Sequence, residues 1–342
     1  MNGTRILSGI PQEEIEKLLS PLPSFRARQI FDWLRKGVFS FSEMTNLPQT
    51  LREDLSAHFL LRTTEVSTLL DDDNNAVKAQ IKLQDGSLIE SVLLTDGTGR
   101  KTACLSTQAG CPMGCVFCKT GSLGFFRNLN SAEIVEQFYH FARYGTISNI
   151  VFMGMGEPLL NLTELHRALS VLCSGFSKRR VTVSTCGIIP GIRQLAETCP
   201  AVRLAVSVPT ADQQLRNAIM PGCAAYPLSD LKDALFEYQR ATRHRITLET
   251  VVLGGVNTGR QQAAALASFA RGLDVLVNLI PWNSIPGLLF QDVPLRSPHP
   301  DEVKTLRHTL EEHGIKTEIR KEKGRKISGA CGQLGLLPRT TA

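Results

Sequence analysis

Hydrophobic and polar positions divide the chain into three stretches of different periodicity. Over residues 12–60 apolar side chains recur at three- and four-residue intervals, which predicts helices. In residues 24–37, Phe25, Ile30, Phe31 and Leu34 fall at helical spacing, and Gly37 is placed to cap the C-terminus. Arg26, Arg28, Arg35 and Lys36 then lie on or near the exposed face. A second helix is expected after Leu47-Pro48, carrying Leu51 and Leu55. Between residues 62 and 98 the period becomes two. Residues 79–84 alternate, Asp85-Gly86 is a hairpin signal, and residues 88–94 alternate again. Glu90 falls inside the second of these strands, at a position that usually faces solvent.

From residue 99 onward, short apolar runs alternate with helical stretches. Strands are predicted at 102–106, 149–153, 180–184, 202–208, 246–252 and 274–280, and helices at 131–144, 162–173, 190–198, 228–242 and 260–272. A last helix at 300–313 and a strand at 315–320 follow. Asn130, with Glu133 three residues on, supplies an N-cap for the first of these helices. Six successive strand–helix units require a parallel sheet with helices outside it. Six units are too few for a closed eight-unit barrel, so the fold class is α/β, a partial (β/α)6 barrel with a lateral mouth. The expected organisation is a helical accessory domain at 1–61, a small β linker at 62–98 and the barrel at 99–342.

Composition narrows the class. Of the 342 residues, 42% are hydrophobic and 20% charged, as in ordinary globular proteins. No apolar run approaches the ~20 residues of a membrane span, and the mixed opening, residues 1–11, lacks the apolar core of a signal peptide. The nine cysteines form no regular disulfide framework, which points to a reducing cytoplasm. A net charge of +6, from 38 basic and 32 acidic side chains, is compatible with an RNA partner.

The chemistry begins at Cys111, Cys115 and Cys118, which have three and then two residues between them. Iron–sulfur clusters normally take four cysteines, and the next one, Cys173, lies in a predicted helix. Three thiols on a four-iron cluster leave one iron open to an outside ligand. Zinc is the alternative, but its sites favour C-x-x-C pairs and four protein ligands. In barrels of this kind the chemistry gathers at the C-terminal ends of the strands. Those ends carry the cysteine loop, Gly154-Met155-Gly156-Glu157-Pro158, Ser184-Thr185, Ser207 and Pro281-Trp282-Asn283. The glycines permit close backbone approach, and Glu157 offers an acceptor for an ammonium group.

The C-x-x-x-C-x-x-C spacing, with Phe117 before the last cysteine, resembles the signature of radical S-adenosylmethionine (SAM) enzymes. Residues 104–111, the Gly-Met-Gly-Glu-Pro run, Pro281-Trp282-Asn283, residues 330–334 and residues 25–30 together resemble the RlmN/Cfr family, radical SAM RNA methyltransferases that act on adenine. The resemblance implies one [4Fe-4S] cluster on Cys111, Cys115 and Cys118, with SAM chelated at the open iron. It implies SAM contacts from Gly156, Glu157, Ser184, Ser207, Val208, Pro209 and Asn283. Cys331 would carry a methyl group, Cys104 would close a disulfide onto it, and Glu90 would accept a proton. The remaining cysteines, Cys186 among them, read as structural.

The chemical need for such parts can be stated independently. Adenine C2 is electron-poor and cannot attack the SAM methyl directly, whereas a thiolate can. The family therefore spends two SAM molecules per turnover: one methylates the cysteine, and a second yields the radical that activates that methyl. The implied targets are adenosine 2503 of 23S rRNA and adenosine 37 of tRNAs, and the implied partners include an electron donor such as flavodoxin, with the enzyme a monomer and no membrane involved.

The chain departs from the family in two places. Ser207-Val208-Pro209-Thr210 stands where Ser-Leu-His-Ala is usual, which removes an imidazole and a backbone N–H. Arg320, Lys321, Lys323, Arg325 and Lys326 make the stretch before Cys331 basic, a segment placed to contact RNA phosphates. Ala109 and Pro158 favour the C2-methylating branch over the C8-methylating one. A radical SAM activase of another substrate would not need the Cys104/Cys331 pair, and an RNA-binding protein with a structural metal would leave that pair unexplained.

Overall fold

The computed structural model describes residues 5–72, 75–320 and 323–335. Ten strands form its main sheet: β1 (Glu65–Asp71), β2 (Ala76–Lys82), β3 (Leu88–Thr95), β4 (Lys101–Cys104), β5 (Ile147–Phe152), β6 (Val181–Thr185), β7 (Arg203–Ser207), β8 (Ile246–Val252), β9 (Val275–Pro281) and β10 (Thr317–Ile319). They lie side by side in chain order. From β4 to β10 every pairing is parallel, which gives the open half-barrel expected from the alternation of strands and helices.

Strand patterning explains how this sheet is covered on both sides. Along β6, Val181, Val183 and Thr185 are buried while Thr182 and Ser184 are half-buried and face the concave side. Aligned register carries polar groups across that concave side: Ser207 pairs with Glu249, Glu249 with Asn278, and Asn278 with Glu318. Outside the sheet pack helices Ser131–Ala142, Leu162–Cys173, Ile189–Thr198, Leu228–Thr242, Arg260–Ala270 and Pro300–Glu312, whose apolar faces complete one continuous core. The Asn130–Glu133 capping box starts the first of them.

The structure differs from the expected β linker. The hairpin does form, with Lys82 opposite Leu88, but β3 also pairs antiparallel with β4. Strands β1 to β3 therefore extend the barrel sheet. This is why Glu90, expected to face solvent, is only 1% exposed.

Residues 7–61 hold a second apolar cluster, built by helices Gln12–Leu18, Ser24–Arg35 and Gln49–His58 around Ile15, Ile30, Phe31, Leu34, Met44 and Leu55. Gly37 takes a φ of +78° as it ends the middle helix. Phe25 was expected on the buried face, yet it is 53% exposed, with the Arg26 guanidinium 4.9 Å from its ring centre. The two units meet at Glu136, a buried carboxylate on helix Ser131–Ala142. It accepts from the Ser8 hydroxyl, from the Thr63 N–H at 2.9 Å, and from the Thr64 N–H and hydroxyl at 2.8 and 2.7 Å.

Candidate active site

The C-terminal rim of the half-barrel is assembled by backbone locks. Just past β4, the Ser106 hydroxyl donates to the Glu90 carbonyl at 2.6 Å and accepts from the Met155 N–H at 2.8 Å, tying β3 to the loop after β5. Gly154 and Gly156 are required by this packing. A Cβ on Gly154 would meet the Ser106 hydroxyl at 2.5 Å, and one on Gly156, whose φ is +97°, would meet the Gln108 Cβ at 2.5 Å.

The cysteine loop is fixed from three sides. The Cys111 N–H donates to the Gly124 carbonyl at 2.7 Å, the Val116 N–H to the Ile219 carbonyl at 3.0 Å, and the Trp282 indole to the Phe117 carbonyl at 2.8 Å. Cys111, Cys115 and Cys118 then share the wall of one cavity with Gly156, Glu157, Ser184 and Ser207. Among the described residues, no three metal-ligating side chains close round a single ion.

Burial raises the Cys111 thiol to about 12 and raises Cys118 as well. For Cys115 the contact with Cys186 opposes, but burial and the neighbouring thiols still push it upward. Three crowded, buried thiols give up their protons most readily to a metal. Their donor chemistry and the cavity they face fit an iron–sulfur cluster held by three cysteines.

Glu157 is buried and caps the following short turn. It accepts from the Leu159 N–H at 3.0 Å and the Cys186 N–H at 2.6 Å, while burial still raises its pKa. Asn283 lies on a second, outer cavity. Val208 and Pro209, expected among the SAM contacts, are buried and line neither cavity. Their carbonyls are engaged by the Thr250 hydroxyl at 2.9 Å and the Asn257 amide at 2.6 Å.

The outer cavity brings Cys104 together with Cys331. Met153, Ile280, Pro281, Arg320 and Cys331 line both cavities, so the two spaces adjoin. The loop carrying Cys331 is pinned to the cysteine loop: the Lys119 N–H donates to the Gly332 carbonyl at 2.8 Å, and the Thr120 hydroxyl to the Leu334 carbonyl at 2.5 Å. Burial and the nearby Cys331 raise the Cys104 thiol to about 12, against the pull of Arg320.

Glu90 sits under this loop. Lys78 Nζ lies 2.9 Å from one carboxylate oxygen, and the Gly335 N–H donates to the other at 2.7 Å. Glu90 lines neither cavity.

Two residues of the site were missed in the sequence. Arg320, read as part of a basic RNA-facing segment, turns inward, and its guanidinium is stabilised chiefly by Cys331, with help from Glu249 and Cys104. The other residues of that segment are partly spent within the chain, with Lys323 Nζ on the Thr95 carbonyl at 2.8 Å and Lys326 Nζ 3.7 Å from Asp72. Lys321 lies outside the described residues. Glu249 accepts from the Asn278 amide at 2.9 Å, and burial raises its pKa. A carboxylate inside the strand 246–252 was the available signal.

Comparison with known proteins gives the family and the fold. Residues 105–267 match the radical SAM superfamily, and residues 7–61 match a ribosomal RNA large subunit methyltransferase N-terminal domain. A protein of Treponema denticola described as a probable dual-specificity RNA methyltransferase RlmN is 46% identical, covering 96% of this chain and 95% of its own length. A dual-specificity RNA methyltransferase RlmN of Anaeromyxobacter dehalogenans is 42% identical over 97% of this chain and 92% of its own. The crystal structure of a radical SAM methyltransferase from Sphaerobacter thermophilus superposes with a TM-score of 0.91 at 37% identity, covering 96% of this chain and 99% of that one. The chain belongs to the RlmN family of the radical SAM superfamily.

Proposed function

We propose that this chain is a radical SAM RNA methyltransferase that adds a methyl group to C2 of adenosine through Cys331 and Cys104. The observation that carries the reading is the meeting of these two thiols, far apart in sequence, on one cavity that adjoins the three-thiol cavity. Cys111, Cys115 and Cys118 would hold a [4Fe-4S] cluster, and Gly156, Glu157, Ser184 and Ser207 would bind SAM beside it. When bound, the cluster supplies the electron that cleaves SAM to a radical.

The chain's own residues then have distinct tasks. Cys331, half-exposed at the junction of the cavities, accepts a methyl from SAM as a thiolate. Loss of a hydrogen atom from the Cys331 S-methyl group lets that carbon bond to adenine C2, and the adduct then gives up the C2 proton and one electron, matching the electron spent on cleaving SAM. Cys104, buried behind Cys331, gives up its proton and bonds to the Cys331 sulfur as the C–S bond breaks, and the released carbon takes up a proton to become the methyl group on the base. Arg320, which lines both cavities with Cys331, stabilises negative charge on either thiol. Glu90 is the proposed acceptor of the proton leaving adenine, a role that requires the Cys331 loop to move off its carboxylate and open it to the outer cavity. An external dithiol or thiol reductant must reopen the disulfide after each turnover.

An adenosine has to be unstacked to enter the outer cavity, at a cost of about a few kcal/mol that loops and single strands reduce. Adenosine 2503 of 23S rRNA and adenosine 37 of tRNA are the proposed targets, with flavodoxin or a similar donor supplying electrons. The test is anaerobic reconstitution with iron and sulfide, followed by incubation with SAM, a reductant and each RNA. Nucleoside mass spectrometry should find 2-methyladenosine. Finding 8-methyladenosine, or no methylated adenosine in either RNA, would overturn the proposal.

A further inference from the structure

On the wall of the three-thiol cavity, Cys186 is half-buried and backed by a buried arginine and a buried cysteine, and the proposed reaction gives none of the three a step. Cys186 follows β6, and its Sγ is 4.0 Å from the Sγ of Cys115. The backbone of Cys186 is clamped at both ends. Its N–H donates to Glu157 at 2.6 Å, and its carbonyl accepts from Arg216 Nη2 at 3.2 Å and from the Cys223 thiol at 3.2 Å.

Arg216 is fully buried. Its Nη1 donates to the Tyr226 carbonyl at 2.7 Å, and its Nε has no hydrogen-bond partner among the described residues. It stands on helix Gln213–Ile219, and the turn that follows is hydrogen-bonded to the cysteine loop from Gly222 N–H to the Met113 carbonyl at 3.0 Å. A Cβ on Gly222 would come within 2.7 Å of the Met113 Cα, so the turn touches the loop directly.

This arrangement gives the Cys186 side chain little freedom. The Cys223 thiol lies 3.2 Å from the Cys186 carbonyl and also interacts with the Cys186 thiol, so the two sulfurs hold each other in place. As a cluster ligand Cys115 is a thiolate and has no hydrogen to give. Any hydrogen between the sulfurs of Cys115 and Cys186 then comes from Cys186, whose thiol has the Glu157 carboxylate as its other acceptor. Hydrogen bonds to ligand sulfurs and nearby positive charge both stabilise the reduced, more negative form of an iron–sulfur cluster.

We infer that Cys186, held in place by Glu157, Arg216 and Cys223, donates an S–H···S hydrogen bond to Cys115 and sets the reduction potential of the cluster. Cys186 is a positioning and tuning residue: it touches a ligand sulfur, and it is neither a ligand nor a reactant. The inference rests on the proposal that Cys111, Cys115 and Cys118 hold a cluster.

The test is a redox titration of the reconstituted full chain, followed by the electron paramagnetic resonance signal of the reduced cluster. Iron content is measured on each sample. In Cys186→Ala the midpoint should move to a more negative potential, with the reduction equilibrium weakened about tenfold, which for one electron is about 59 mV. Cys186→Ser keeps a donor and should titrate at or above the potential of the unsubstituted protein. An unchanged or more positive midpoint in Cys186→Ala overturns the inference. If the alanine variant holds no full cluster, the serine variant decides, and a fall in its potential overturns the inference equally. Failure of the unsubstituted protein to take up a four-iron cluster would instead overturn the reading on which the inference rests.

Discussion

Substitution of Glu136 by alanine tests how the N-terminal unit is held in register with the catalytic rim. Glu136 accepts from two backbone amides, those of Thr63 and Thr64, and from the hydroxyls of Ser8 and Thr64. Hydroxyls can rotate toward other acceptors, but the two amides cannot. Each buried amide left without a partner costs about 1–3 kcal/mol, so the pair predicts a loss of about 4 kcal/mol. Arg62 adds to this, because burial lowers its pKa and Glu136 is the main opposing influence. The loss should fall on the junction, not on the barrel core. Amide exchange should accelerate across residues 7–64 while the strands of the barrel stay protected. Reductive cleavage of SAM without RNA should continue, while methylation of RNA should fall at least about tenfold, the factor corresponding to ~1.4 kcal/mol. A variant losing less than about 1 kcal/mol, with unchanged exchange at residues 7–64, would refute the reasoning.

Two further outcomes follow from the geometry. Gly156→Ala places a methyl group 2.5 Å from the Gln108 Cβ at a φ of +97°, so the loop must move; SAM binding measured by equilibrium dialysis should weaken at least about tenfold, a cost of ~1.4 kcal/mol. Burial lowers the pKa of His140 from 6.5 to about 4, with Arg62 and Arg143 adding to the effect. A depressed histidine contributes stability that is fully present above the unfolded pKa and is lost as pH falls from 6.5 to about 4. His140→Gln should flatten that part of the urea-stability profile, and a profile as steep as that of the unsubstituted protein would count against the assignment.

The barrel was legible because its information is local. Strands 246–252 and 274–280 and helices 162–173 and 228–242 were expected within about a residue of where they lie, since β-branched runs and helical spacing decide them without distant help. What depends on partners was not legible. Glu90 looked like a surface residue because nothing in residues 88–94 reveals that β3 also pairs with β4. Phe25 was assigned to a buried face by spacing alone, and tertiary packing chose Ala27 in its place. Arg320 sits in a run of basic residues, and only the fold turns it toward Cys104 and Cys331. Helix Gln213–Ile219 is too short for periodicity to mark, and its one local signal is Asp212, which caps it by accepting from the Leu215 N–H at 2.9 Å. The cysteine motif was visible as chemistry, but its support by Cys186 and Arg216 appears only in three dimensions.

The central claim is that Cys331 carries the transferred carbon and Cys104 releases it. The most direct measurement is denaturing gel electrophoresis and mass spectrometry of Cys104→Ala after anaerobic incubation with SAM, reductant and substrate RNA. The account predicts a covalent protein–RNA adduct joined through Cys331, because no second thiol closes the disulfide that would free the base. Free methylated RNA from Cys104→Ala at the rate of the unsubstituted enzyme, or any methylation by Cys331→Ala, would contradict it.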